Sequence, residues 1–196
     1  MKSDFNSILE LYPKFSRKNR LLVIENLEKS INSITYSHKI NNRLENQYLD
    51  LHHVILIKSL FNFAYKAIKK SYDEFSIVPC KELGFLENEF WFNIAKPGES
   101  TGWHDHKQKS FFSCVYYLQT KKLSGNLKFR SSNQGLLDLL QIEPEEGKMV
   151  LFNSSLSHAV DINRSSFDRI SLAFNLFKLP IENKNHETTY STSNFY

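Results

Sequence analysis

The sequence predicts a mainly β fold preceded by N-terminal helices, and three observations carry that expectation. Apolar residues recur every three or four positions up to about residue 75, and every second position from Glu87 onward. Turn signals punctuate the second region at Lys96-Pro97-Gly98-Glu99, Ser124-Gly125 and Pro144-Glu145-Glu146-Gly147. Several short strands follow one another with no helical pattern between them. That excludes βαβ crossovers and leaves an antiparallel sheet, sandwich or barrel.

The elements justify themselves in order. Leu21, Ile24, Leu27, Ile31 and Ile34 form one helical stripe, and Leu51, Val54, Ile55, Phe61, Ala64, Tyr65 and Ile68 form a second, stronger one. Lys66, Lys69 and Lys70 suit the negative end of that second helix. His52 and His53 are adjacent on a helical stretch, so their side chains diverge and do not share a metal. Strands are expected at Phe90–Ile94, Ser110–Leu118, Leu127–Arg130, Met149–Phe152, Ala159–Ile162 and Arg169–Phe177. The division expected is a helical extension over residues 1–75 packed on the barrel, a core over 76–180 and a polar tail over 181–196, in which Phe195 and Tyr196 offer docking side chains.

Composition narrows the class. With 196 residues, 41% hydrophobic residues, sixteen Phe and nine Tyr, the chain can bury a core of its own. A net charge of +4 from scattered Lys and Arg argues weakly at best for a nucleic-acid partner, and none is expected. Cys80 and Cys114 are the only cysteines and suggest two buried thiols in a reducing compartment. No secretory leader and no membrane-length apolar run is visible, so a cytoplasmic location is expected.

The stretch from Trp91 to Tyr117, WFNIAKPGESTGWHDHKQKSFFSCVYY, organises the rest. On an extended backbone His104 and His106 share a face while Asp105 points the other way. Two imidazoles on one face are two transition-metal ligands, and His158 offers a third from a later strand. Three protein ligands leave positions open, as catalysis at a metal requires. Farther on, Arg169, Ser171, Ala173 and Asn175 share one strand face and Ile170, Leu172, Phe174 and Leu176 the other. If the polar set faces a barrel interior, the amphipathic helices are the obvious cover for the apolar set. The guanidinium of Arg169 is a planar fork suited to a carboxylate.

The order of these segments resembles the 2-oxoglutarate/Fe(II)-dependent oxygenases. WFNIAKPGESTGWHDH, SFFSCVYYLQ, SGNLKFR, EPEEGKMVLFNSSLSHAV and DRISLAFN look like a group of that superfamily whose first motif reads H-x-H. The resemblance spans Phe90 to about Phe177 and leaves out the helical first third. It implies a double-stranded β-helix, a jelly-roll or cupin-like core, flanked by the helices. It implies a hydroxylase-type dioxygenase that uses Fe(II) and 2-oxoglutarate, releases succinate and CO2, and takes ascorbate as a candidate reductant. Carried over by position, His104 is the first ligand and His158 the distal one. Arg169 and Ser171 match the Arg-x-Ser that holds the far carboxylate of 2-oxoglutarate. Tyr117 and Asn93 are further candidates for co-substrate contact.

One departure matters. His106 stands where the superfamily places a carboxylate. Three outcomes follow: a working three-histidine oxygenase, a site completed by Asp105 or a remote carboxylate, or a degenerate barrel without catalysis. The first is favoured. A 2-oxoglutarate-independent three-histidine dioxygenase and a non-catalytic cupin-like binding barrel are the alternatives. A small-molecule or peptide substrate is expected, while its identity and the oligomeric state are not written in the sequence.

Overall fold

The structure, a computed structural model, describes residues 4–40, 43–106, 110–133 and 136–181. In chain order these form β1 (Leu9–Leu11), α1 (Arg17–Lys29), β2 (Thr35–Ile40), β3 (Arg43–Tyr48), α2 (Lys58–Tyr72), β4 (Ser76–Ile77) and β5 (Phe90–Ala95). There follow β6 (Thr101–His104), β7 (Phe112–Gln119), β8 (Leu127–Asn133), β9 (Leu136–Ile142), β10 (Met149–Asn153), β11 (Ser157–Val160) and β12 (Arg169–Lys178). Two antiparallel sheets result. The major one runs β1-β10-β7-β12-β5-β3-β2, with β4 beside the end of β12, and the minor one runs β6-β11-β8-β9. Together they build the expected double-stranded β-helix.

β12 is central because both its faces are covered. Ile170, Leu172, Phe174 and Leu176 pack outward into a core with Val23, Leu27, Leu60, Phe61, Ala64 and Ile68 of the two helices. Phe61 anchors the contact, its ring 4.9 Å from that of Phe174 and 5.5 Å from that of Phe90. Cys114, Tyr116, Met149 and Leu151 of β7 and β10 join the same layer, while their alternating neighbours Tyr117, Val150 and Phe152 turn inward to meet Leu127, Phe129 and Ile142. The period of two thus separates a helix-facing layer from a barrel interior.

The helices end where their local chemistry stops them. Ser16 caps α1, its Oγ accepting from the Asn19 amide at 3.1 Å. Asp73 closes α2 in the left-handed region at φ 56°, its N–H donating to Lys69 O, and Lys69 and Lys70 occupy the last turn.

The first third is not helical throughout. α1 stops at Lys29, and the run beyond it, with Ser30, Asn32 and Ser33, favours turns; Thr35–Ile40 then pairs with β3 as a hairpin. The buried face of α1 is Val23, Ile24 and Leu27, whereas Leu21 and Ile31 are exposed. β9 is a further strand that the turn pattern did not announce, and β11 begins two residues earlier than expected, which puts His158 inside it. The polar tail with Phe195 and Tyr196 lies outside the described residues. No helix among the described residues is long and apolar enough to cross a membrane.

Candidate metal centre

Cross-strand register lays the interior of the major sheet out in rows. Asn93, Ser171 and Tyr117 stand side by side across β5, β12 and β7, and the next row holds Trp91, Ala173 and Val115. Asn175 and Ser113 follow one step further, while Arg169, opposite Ala95, lies at the other end. All of these but Ala95 line one pocket of about 100 Å³, which His104, His106 and His158 close from the minor-sheet side.

The three histidines converge. One ligand atom from each lies within 4.8 Å of the others. His104 and His158 face each other across the β6–β11 pair, with ring centroids 4.2 Å apart. His106 lies just beyond the end of β6, its ring 5.1 Å from His104, 5.3 Å from His158 and 5.9 Å from Trp91. Asp105 is exposed and does not belong to the cluster.

Backbone carbonyls set the tautomers of two rings. Nδ1 of His104 lies 2.9 Å from Gly102 O, and Nδ1 of His158 lies 2.9 Å from Leu156 O. A carbonyl only accepts, so each Nδ1 carries the proton and donates it. Each Nε2 then keeps its lone pair for a ligand bond. His158 is 5% exposed, and burial together with the neighbouring His104 pulls its pKa down to about 3. The ring is neutral at neutral pH, the state that binds metal.

Arg169 occupies the opposite end and is 2% exposed. Its Nη1 donates to Ser124 O at 2.7 Å and to Gly125 O at 3.4 Å. Gly125 has φ +96°, and a Cβ there would collide with Asp161 O and stand 2.9 Å from Arg169 Nη1, so only glycine fits. Ser124 Oγ is buried and has no hydrogen-bond partner among the described residues. Tyr117 is buried as well, and burial raises its phenol above the ordinary value against the lowering pull of Arg169, so it stays protonated.

The sequence did not single out several residues that shape this site. Asn163 is fully buried and stitches the loop before Arg169, its Nδ2 donating to Ala95 O and Phe167 O at 2.8 Å each. Asn46, at φ 47° in the β2–β3 hairpin, reaches the pocket wall, and nothing in its local sequence marks it. Ser113 and Ser154 had only their place among small polar residues next to apolar strands.

The donor sets fit the groups in question. Three imidazoles with open positions suit iron, though imidazole also suits other transition metals. A buried guanidinium at the far end of the same pocket suits a small carboxylate.

Comparison with known proteins bears on these chemistries. Residues 89–175 match the model of a family described as "Putative 2OG-Fe(II) oxygenase". The resemblance to the 2OG-Fe(II) oxygenases holds. Solved structures of that kind share the fold. A Pseudomonas putida prolyl-4-hydroxylase is 16% identical with a TM-score of 0.56, covering 89% of this chain and 90% of its own. A Trichoplax adhaerens prolyl hydroxylase, solved with a hypoxia-inducible factor oxygen degradation domain peptide, is 13% identical with a TM-score of 0.62, covering 88% and 83%. A 2OG-Fe(II) oxygenase family oxidoreductase from Burkholderia pseudomallei is 15% identical with a TM-score of 0.61, covering 88% and 84%. At such identities the likeness is one of fold. A search of curated protein sequences found no match. Family match and fold together support an enzyme of the 2OG-Fe(II) oxygenase class.

Proposed function

We propose that this chain is an Fe(II)- and 2-oxoglutarate-dependent oxygenase in which His104, His106 and His158 hold the iron and Arg169 holds the far carboxylate of 2-oxoglutarate. The observation that carries the proposal is the pairing of ends within one pocket: three converging imidazoles at one, a buried guanidinium at the other. Bound there, the metal and co-substrate would supply, with O2 as the oxidant, decarboxylation of 2-oxoglutarate to succinate and CO2, one oxygen atom going to succinate and the other to a hydroxylated substrate C–H bond. The protein's residues bind, orient and exclude water. Ser171 and the protonated Tyr117 stand between the two ends and can donate to the co-substrate, with Asn93 in the same row. The substrate is a small molecule or a peptide, and the peptide bound to the T. adhaerens neighbour supports the latter.

The division that goes with this reading is a catalytic core over residues 76–180, an extension over 1–75 and a tail over 181–196. Cys80 and Cys114, both free and buried, support a reducing, cytoplasmic setting. The test is succinate formation from 2-oxoglutarate by purified protein with Fe(II) and ascorbate and no added substrate. Succinate above the level of a His158→Ala control supports the reading. Iron binding without any 2-oxoglutarate requirement favours the co-substrate-independent dioxygenase, a reading that the missing carboxylate ligand motivates. No iron and no turnover leave a binding barrel.

A further inference from the structure

His104 and His158 are fixed by strand pairing, but His106 lies beyond β6, where no ladder holds it. What holds it is Ser154, which is fully buried between β10 and β11. The His106 N–H donates to Ser154 O at 2.8 Å, and the Ser110 N–H donates to His106 O at 3.2 Å. Ser110 returns to the same residue, its Oγ 2.8 Å from Ser154 Oγ. Both His106 and Ser110 therefore hang on Ser154, whose own N–H donates to Phe111 O at 3.2 Å.

Ser154 is in turn the hub of a buried polar chain. Its Oγ lies 3.0 Å from Ser113 Oγ, Ser113 Oγ donates to Asn175 Oδ1 at 3.0 Å, and Asn175 Nδ2 donates to Glu89 Oε2 at 3.0 Å. The proton order is forced from the far end. The Glu89 carboxylate accepts, which fixes the amide with its nitrogen toward Glu89 and its oxygen toward Ser113. Ser113 has one hydroxyl proton and gives it to that oxygen, so it accepts from Ser154, and Ser154 accepts from Ser110. Each hydroxyl donates once and the chain runs one way, from Ser110 to Glu89. Ser113 and Asn175 are 4% and 2% exposed, so an unmet polar group left in the chain is costly.

We infer that the Ser154–Ser113–Asn175–Glu89 chain is the positioning device for His106, the ligand that replaces the superfamily's carboxylate. The inference rests on the ligand set proposed above. A carboxylate has two oxygens with which to reach a metal, whereas a neutral imidazole has one lone pair in the plane of a rigid ring, so its aim is more sensitive to where the backbone puts the ring. A histidine off the end of a strand therefore needs its backbone held: the main-chain carbonyl of Ser154 is the acceptor, and the Ser154 side chain ties that carbonyl's residue to Ser110 and Ser113. These residues act through His106 and are positioning residues.

The experiment uses Co(II) as an optical probe of the full-length protein, because its visible bands report ligand number and geometry. Ser154→Ala keeps the main-chain carbonyl that accepts from His106 but cuts the side-chain ties to Ser110 and Ser113 that anchor it, so Co(II) binding should weaken about tenfold and the bands shift, the low end of the range for residues that orient metal ligands. Ser154→Thr, which keeps the hydroxyl, should restore both affinity and spectrum. Ser113→Ala breaks the chain one member farther along and should give a smaller change in the same direction, which keeps the test alive if Ser154→Ala does not fold. His106→Ala is the reference and should lose binding beyond either. Wild-type affinity and spectrum in Ser154→Ala and Ser113→Ala, with His106→Ala defective, overturn the positioning role and leave the ligand set standing. Wild-type binding by His106→Ala overturns both.

Discussion

Gly125→Ala perturbs the Arg169 end of the pocket without touching the histidines. The backbone there stands at φ +96°, and a methyl group would collide with Asp161 O and press on Arg169 Nη1 from 2.9 Å. Strain at such a backbone costs roughly 1–3 kcal/mol, before the collision is added. At roughly 2–4 °C per kcal/mol for a chain of this size, the melting temperature should fall by between about 2 and 12 °C. Binding should suffer separately, because the carbonyls of Ser124 and Gly125 aim the guanidinium. Deleting a buried charge partner typically costs about 2–5 kcal/mol, a loss of tens- to thousands-fold, which sets the upper bound and is the expectation for Arg169→Leu. Gly125→Ala keeps the charge but moves it, so its loss should lie between wild type and Arg169→Leu. Anaerobic calorimetric titration of the Fe(II)-loaded proteins with 2-oxoglutarate measures this, with iron content checked in parallel. Both variants should keep their iron. Wild-type stability and affinity in Gly125→Ala would refute the claim that this backbone positions Arg169.

Three further outcomes are expected. His104→Ala, His106→Ala and His158→Ala should each lose stoichiometric Fe(II), whereas Asp105→Ala should retain it; iron retained without His106 but lost without Asp105 reverses the assignment. The metal-free protein should lose stability as pH falls from about 6.5 toward 3. The unfolded chain takes up a proton at His158 near the ordinary value while the folded chain resists to about 3, a slope of up to roughly 1.4 kcal/mol per pH unit. Urea unfolding in chelator at pH 7, 6 and 5 reads that slope, and an unchanged slope in His158→Gln contradicts it. Burial pushes the Cys80 thiol up to about 11 and raises Cys114 well above its ordinary value, so neither should react with a disulfide reagent at pH 8 until the protein unfolds; rapid labelling of the native protein speaks against the packing.

The parts legible in the sequence are those where one period dominates. β12 alternates polar and apolar residues over its length, and its two faces fall where that alternation puts them. The α2 stripe reads true because Leu60, Phe61, Ala64 and Ile68 meet a flat apolar sheet. The stripe through Leu21, Ile31 and Ile34 misleads because three- and four-residue spacing persists by chance across the end of α1, where Ser30 turns the chain. His104 and His106 share a strand face only if the backbone stays extended through His106. The chain leaves the strand at His104, and His106 joins its partners through a loop held by Ser154, a contact between segments far apart in sequence that no local pattern encodes. The Gly125 carbonyl beneath Arg169 is of the same kind: the sequence shows a turn glycine, and only the fold shows what lies above it.

The central claim is that one pocket holds a metal at the histidines and 2-oxoglutarate between that metal and Arg169. Absorption of the wild-type protein under anaerobic conditions, with one equivalent of Fe(II) and increasing 2-oxoglutarate, tests it most directly. A visible charge-transfer band should appear that requires both components, saturates at one equivalent of 2-oxoglutarate and is absent from His158→Ala. A wild-type protein that binds Fe(II) yet develops no such band, or that develops it equally without His158, contradicts the account.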